Sequence, residues 1–221
     1  MGRVRLRRRD PKHRAELAFW RERAREAPLE SGGDWYRWAF TEAFGSGAGS
    51  YAGRRVLDVG CGPRGSLEWA TAAAERVGVD PLADAYRDLH ERPHTMTYVA
   101  AGAEAMPFDD GHFDVVGCFN ALDHVDDLDA VVAELGRVAA AGATLLLVVD
   151  IGHEPTAMEP HRLAWDLLER FSPAWEVVER RDLERASPNM LANLQAGRPF
   201  DHGDPAERPG VLAARLERRR G

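Results

Sequence analysis

Apolar positions change their period several times along this chain of 221 residues. Over HRAELAFWRERAREA (13–27), Leu17, Trp20, Ala24 and Ala27 recur at three- and four-residue steps, which predicts a helix with one apolar face. SGGD then breaks the pattern, and Asp34 is placed to cap a second helix, DWYRWAFTEAF. After the interruption GSGAGSYAG, short apolar runs alternate with helical patterns. The runs predict strands at 55–59, 77–79, 96–99, 113–119 and 143–149. Between them, helices are predicted at 66–76, at 82–90 with Pro81 suited to its first turn, and at 127–138. In the last of these Leu128, Val131, Val132, Leu135 and Val138 fall at helical spacing. Residues 143–149 are apolar throughout, as befits a strand covered on both faces. The tail offers a helix at 161–171, a strand at 174–183 and a last strand at 210–218. Repeated strand–helix units of this kind build an open α/β sheet, mainly parallel, with helices on both faces.

Composition narrows the class without naming it. The content is 44% hydrophobic and 29% charged, ordinary for a soluble globular protein, and the length suits one domain. The net charge of −7 gives no overall attraction to nucleic acid or anionic membrane. Both ends are nevertheless basic, MGRVRLRRRDPKHR and LERRRG, as solvated arms or RNA-contacting arms would be. The arginine-rich start leads into no apolar segment, so no secretory signal is expected. The apolar run at 143–149 is far too short to span a bilayer. Cys61 and Cys118 form neither a disulfide framework nor a zinc pattern, and a cytoplasmic protein, monomer or homodimer, is expected.

The chemistry concentrates at strand ends, where open sheets bind ligands. VLDVGCGPRGS carries strand 55–59 into a glycine turn that matches G-x-G-x-x-G taken literally. Gly60 and Gly62 permit tight geometry and close approach of a ligand, with Cys61 between them. A helix starting at Ser66 would offer an anion its free N–H groups. Asp80, at the end of VGVD, is placed to accept from ribose hydroxyls of any adenosyl ligand. Asp58 discriminates. A carboxylate closing the first strand repels a pyrophosphate, but it suits a ligand bearing an ammonium and a sulfonium, as S-adenosylmethionine does.

Taken together, VLDVGCG, VGVDP and AEAMPFDDGHFDVVGCFNALDHVDD resemble the class I S-adenosylmethionine-dependent methyltransferases, in the branch of ubiquinone-type and small-molecule enzymes. The resemblance covers about residues 54–150 and implies a Rossmann-like fold with an antiparallel last strand. It implies that Asp58, Gly60 and Gly62 shape the methionine end, and that Asp80 holds the ribose with Pro81 or Leu82 against the adenine. Ala103 and Glu104 would flank the adenine, and Asn120 to Leu122 would offer backbone to the methionine part. Arg64 stands where the family has a third glycine, and Gly102 where it often has an acid. On this reading residues 1–50 form a helical lid in which Tyr36 caps the methionine end, 51–150 the cofactor core, and 151–221 the acceptor side.

The implied reaction is methyl transfer to an oxygen or nitrogen of a small molecule, with nucleophile, methyl and sulfur in line. His124, at the rim beyond strand 113–119, is a candidate general base, as are His153 and His161 in DIGHEPTAMEPHRL. No metal is expected: the His153-to-His161 spacing, interrupted by Pro155 and Pro160, fits no ligand signature. The rival readings are a nicotinamide enzyme, an RNA-directed methyltransferase using the basic ends, and an S-adenosylmethionine-binding protein with other chemistry.

Overall fold

The computed structural model of the chain describes residues 10–29, 33–90 and 92–220. Strands β1 (Arg55–Val59), β4 (Phe113–Phe119) and β7 (Gly210–Arg218) have the limits that the apolar runs predict. Strands β2 (Glu75–Val79), β3 (Thr97–Val99) and β6 (Trp175–Glu184) differ by a residue or two, and β5 (Ala139–Ile151) is longer at both ends. They form one seven-stranded sheet in the order β3-β2-β1-β4-β5-β7-β6. The first five pair in parallel, and β7 lies antiparallel to both of its neighbours. The strand order reverses at β1 and β4, the switch point where open sheets bind ligands beyond their carboxyl ends.

Side-chain alternation sorts the core into two layers. Leu57, Val59, Val116, Leu145 and Leu147 face helix α4 (Leu128–Val138), which buries Val131, Leu135 and Val138 against them. Its start is fixed by Asp127, whose carboxylate accepts from the Ala130 N–H at 3.0 Å. On the other face Val56, Val115, Leu146 and Val148 pack with Phe40 of α2 (Gly33–Phe40) and Leu194 of α5 (Met190–Ala196). Each such side chain contributes about 1.5–3 kcal/mol when removed from water. Asp58 belongs to this second face. It pairs across the ladders with Gly78 and Gly117, and the bare Cα atoms admit Cys61 and Met96 on one side and the Phe40 ring on the other.

Three predicted helices are corrected. Residues 66–74 form turns rather than the start of a helix, with Glu68 N–H bonded to the Gly65 carbonyl and Ala70 N–H to that of Leu67. Those residues as a helix would span roughly 13 Å, less than the roughly 16 Å needed to return along a five-residue parallel neighbour. The segment is therefore drawn out into turns. The predicted helix at 82–90 shrinks to one turn, α3 (Ala83–Tyr86), and a 3-10 turn at Arg87–Leu89. The helix predicted at 161–171 survives only as a 3-10 turn, Leu167–Phe171, because His161 is bound by backbone and ring to the Asp123 and Val125 carbonyls.

Asp34 lies inside the first turn of α2 instead of capping it. Helix α5 was not anticipated, although SPNMLANLQAG carries both of its signals. Asn189 caps the start, and Gly197, at φ 60°, closes the end in the left-handed region. Asn189→Ala is expected to cost about 1 kcal/mol of stability, read as a lower denaturation midpoint at unchanged slope.

The first helix, α1 (Pro11–Glu26), is capped by Asp10 and has no buried residue. Most of the basic N-terminal arm, and Gly221, lie outside the described residues. Among the described residues no helix is long and apolar enough to cross a membrane. Cys61 and Cys118 are buried free thiols.

Candidate active site

Beyond the carboxyl ends of β1, β2, β4 and β5 lies a cavity of about 960 Å³. Its floor is the glycine turn, held down by the Gly60 N–H bond to the Val79 carbonyl at 2.9 Å. Gly60, Gly62 and Gly65 all take positive φ, so the turn depends on glycine. Two buried carboxylates bracket it. Asp80 accepts from the Gly62 N–H at 3.2 Å and the Leu82 N–H at 2.8 Å, and lines the cavity. Asp58, 2% exposed, lies beneath the turn and accepts from the Ser66 hydroxyl. Burial pushes both carboxyls up to about 7, and for Asp80 the nearby Glu16 charge adds to the effect.

One face of α1 forms the roof, with Lys12, Glu16, Trp20 and Arg23 at steps of four and three. The Lys12 ammonium donates to the His124 carbonyl at 2.8 Å and pairs with Asp126. Tyr86 donates to Glu16 at 3.3 Å, and Trp20 meets the Tyr86 ring edge-on. Arg64 does not point to solvent. Its guanidinium lies 5.4 Å from the Trp20 ring centre, and Nη1 donates to the Leu29 carbonyl at 3.2 Å. Helix α2 adds Trp35 and Tyr36 to the wall. Burial and then the neighbouring Asp58 charge drive the Tyr36 phenol far above its ordinary range, so it stays neutral.

Across the cavity, His124 Nε2 lies 3.7 Å from Glu159 and 3.9 Å from Asp123 Oδ1. These three side chains each place one donor atom within 4.8 Å of the others, close enough to share a cation, which the histidine spacing did not reveal. Asp123 is 1% exposed, and its Oδ1 has no hydrogen-bond partner among the described residues. Its Oδ2 accepts from His153 Nε2 at 3.2 Å, and the other ring nitrogen of His153 faces the Glu154 carbonyl at 3.0 Å. The bond to Asp123 lifts the imidazole up to about 9, so His153 is charged at neutral pH. Further along, Asp150 at the end of β5 accepts from Arg185 Nε at 3.1 Å.

A family described as "Methyltransferase domain" matches residues 57–147, the stretch that runs from β1 into β5. The ubiquinone biosynthesis O-methyltransferase of Methylococcus capsulatus is 39% identical over 102 residues, 43% of each chain. The chloroplastic tocopherol O-methyltransferase of Arabidopsis thaliana is 31% identical over 137 residues, 55% of this chain and 39% of that enzyme. Over residues 57–147 the chain is similar to the methyltransferase domain of these enzymes. Its fold is shared with an S-adenosylmethionine-dependent methyltransferase of Mesorhizobium loti, at a TM-score of 0.56 and 18% identity over 76% of this chain and 92% of that one. The match spans less than half the length of the two curated relatives.

Within this fold, the cavity wall gathers Tyr36, Gly60, Cys61, Gly62 and Arg64 at the glycine turn. Asp80, Pro81, Ala103 and Glu104 follow along the β2 and β3 ends, and Asn120 and His124 beyond β4. Asn120 takes a left-handed φ of 51°, and its buried side-chain oxygen has no partner among the described residues. A Cβ at Gly102 would come within 2.7 Å of the Glu104 carboxylate, so Glu104 fills the space of the missing acid.

Three predicted site residues do not reach the wall. Asp58 is sealed under the turn, His153 is turned to Asp123, and His161 donates to the Val125 carbonyl at 3.0 Å. The expected helix N-terminus at Ser66 is absent too, so the turn offers backbone groups without a helix dipole. The sequence reading missed the roof residues Lys12 and Glu16, the carboxylate of Asp123, and the pair Asp150–Arg185. Asp150 had a signal, since it is an acid at a strand's carboxyl end as Asp58 and Asp80 are, whereas Asp123 lies in the loop beyond β4.

Proposed function

We propose that this chain transfers a methyl group from S-adenosylmethionine to an oxygen atom of a small molecule. The observation that carries the reading is the acidic end of the cavity. Asp80 on the wall and Asp58 beneath the glycine turn are both buried, and no cation is paired with either among the described residues. Glu16 adds a third negative charge nearby. A pyrophosphate is repelled there and a cationic ligand is attracted, as the energies of buried charges require. The two curated relatives named above are O-methyltransferases and favour oxygen, beside a C-methyltransferase and an N-methyltransferase that also match.

Asp80 would hold the ribose hydroxyls, Pro81 and Ala103 the adenine faces, and Glu104 the adenine amino group. Asn120 and the backbone at Gly60–Gly62 would hold the methionine part. Bound S-adenosylmethionine supplies a methyl already activated on sulfur. The chain's own residues supply position and exclusion of water. The α1 roof, with Trp20 against Tyr86 and Lys12 on the opposite rim, covers the cavity and acts as its lid. His124, facing Glu159 and Asp123, takes the acceptor proton. His153, already charged and off the wall, orients Asp123 and is no base. His161 fastens the loop. Two buried thiols suit a reducing compartment such as the cytoplasm.

Titration calorimetry tests the cofactor reading. S-adenosylmethionine should bind, and Asp80→Ala should weaken it by about 1–3 kcal/mol through lost hydrogen bonds to a charged group. Tight binding of a nicotinamide nucleotide instead, or an unchanged affinity in the variant, would remove the assignment.

A further inference from the structure

At the end of the cavity away from Asp80, the wall changes character. Phe119, Pro188, Met190 and Leu191 line it, and Arg185 stands among them. Most of the other cations on the wall are occupied. Lys12 is bound to the His124 carbonyl and to Asp126, Arg64 to the Leu29 carbonyl and the Trp20 ring, and Arg23 to Glu26. Arg185 uses only Nε, which donates to Asp150 at 3.1 Å, and its two terminal nitrogens donate to no group among the described residues. Its loop is rigidly held. Asn193, 2% exposed, accepts from the Ala186 and Ser187 N–H groups at 3.0 and 2.8 Å and donates to the Ser187 carbonyl at 2.7 Å.

We propose that Arg185, pinned by Asp150, is the anchor for a carboxylate on the methyl acceptor, so that the acceptor is an apolar molecule bearing a carboxylic acid. This rests on the methyltransferase reading and adds the acceptor's class to it. A guanidinium held through Nε presents its outer nitrogens as a flat fork that matches a carboxylate in two parallel bonds. The apolar side chains around it accept the rest of the molecule. Away from Arg185 and its partner Asp150, the wall carries the acids Asp80, Glu16, Glu104, Asp126 and Glu159, which disfavour a carboxylate there.

The test compares 4-hydroxybenzoate, 3-phenylpropanoate and octanoate with their neutral amides, by calorimetry, with and without saturating S-adenosylhomocysteine. At least one acid should bind about ten-fold or more tightly than its amide. Arg185→Gln should erase that preference, and Arg185→Lys should restore part of it, because a point charge replaces the fork. Both variants should keep the wild-type affinity for S-adenosylhomocysteine, which shows that they are folded. If no acid outbinds its amide, or if the preference survives in Arg185→Gln, the anchor assignment is wrong. Failure of S-adenosylhomocysteine to bind the wild-type protein would instead overturn the cofactor reading, and the acid–amide comparison on the bare protein would still decide the role of Arg185.

Discussion

Ligand-free protein is expected to melt at a higher temperature near pH 5.5 than near pH 8, and the stabilisation given by S-adenosylmethionine should grow over the same interval. Asp58 and Asp80 titrate from an ordinary value of 3.8 when unfolded, and burial holds both up to about 7 in the fold. The folded state therefore keeps two protons that the unfolded chain has already lost. That stability is fully present below the unfolded value and disappears as the pH rises through about 7. A rise of about three units corresponds to about 4 kcal/mol for one group. His153, lifted from 6.5 up to about 9 by Asp123, acts in the same direction at slightly higher pH. Asp114, Glu134 and Asp182, which their arginine partners hold low, change state only in stronger acid and do not oppose the trend. A cationic ligand favours the ionised carboxylates, so its binding should release protons near neutrality and strengthen as the pH rises. Asp80→Asn should flatten part of both slopes. Thermal melts and calorimetry in buffers of different ionisation enthalpy measure these effects, and a melting temperature level across the interval would contradict them.

The sheet was legible because its evidence is local. Runs such as Phe113–Phe119 and Gly210–Arg218 must be strands wherever they pack, and β7 fills its place between β5 and β6. Helices 66–76 and 161–171 misled because their fate depends on distance and on partners far along the chain. One segment is too short to return along β1 as a helix, and the other is held extended by the carbonyls after β4. The site divides in the same way. The glycine turn, Asp80 and His124 announce themselves by position at strand ends. Whether an acid there faces ligand or packing is a tertiary matter: Asp80 lines the cavity, whereas Asp58 is taken by Ser66 and covered by the turn. The roles of Lys12, Glu16 and Arg185 arise only where α1 and the loop before α5 meet the cavity: a lid over residues 1–50 is expected, but not which of its side chains face the cavity.

Gly60→Ala should cost about 3–5 kcal/mol of stability, as overpacking against fixed backbone and strain at a left-handed position combine. Gly60 has φ 72°, and a Cβ built there would lie 2.4 Å from the Cβ of Ala121 and 3.6 Å from its Cα. Ala121 cannot retreat easily. It follows Asn120, itself left-handed at φ 51° and tied by its N–H to the Val148 carbonyl at 2.8 Å, and its own side chain is buried in the core. The glycine turn must therefore move, and with it the Gly62 N–H bond to Asp80 at the cavity wall. Affinity for S-adenosylmethionine should fall together with stability. The two causes separate in a double-mutant cycle. Ala121→Gly removes the colliding methyl but not the backbone strain, so the pair Gly60→Ala with Ala121→Gly should recover about 1–3 kcal/mol relative to the sum of the single changes. Simple additivity of the two substitutions would show that the collision with Ala121 is not what makes glycine necessary at the end of β1.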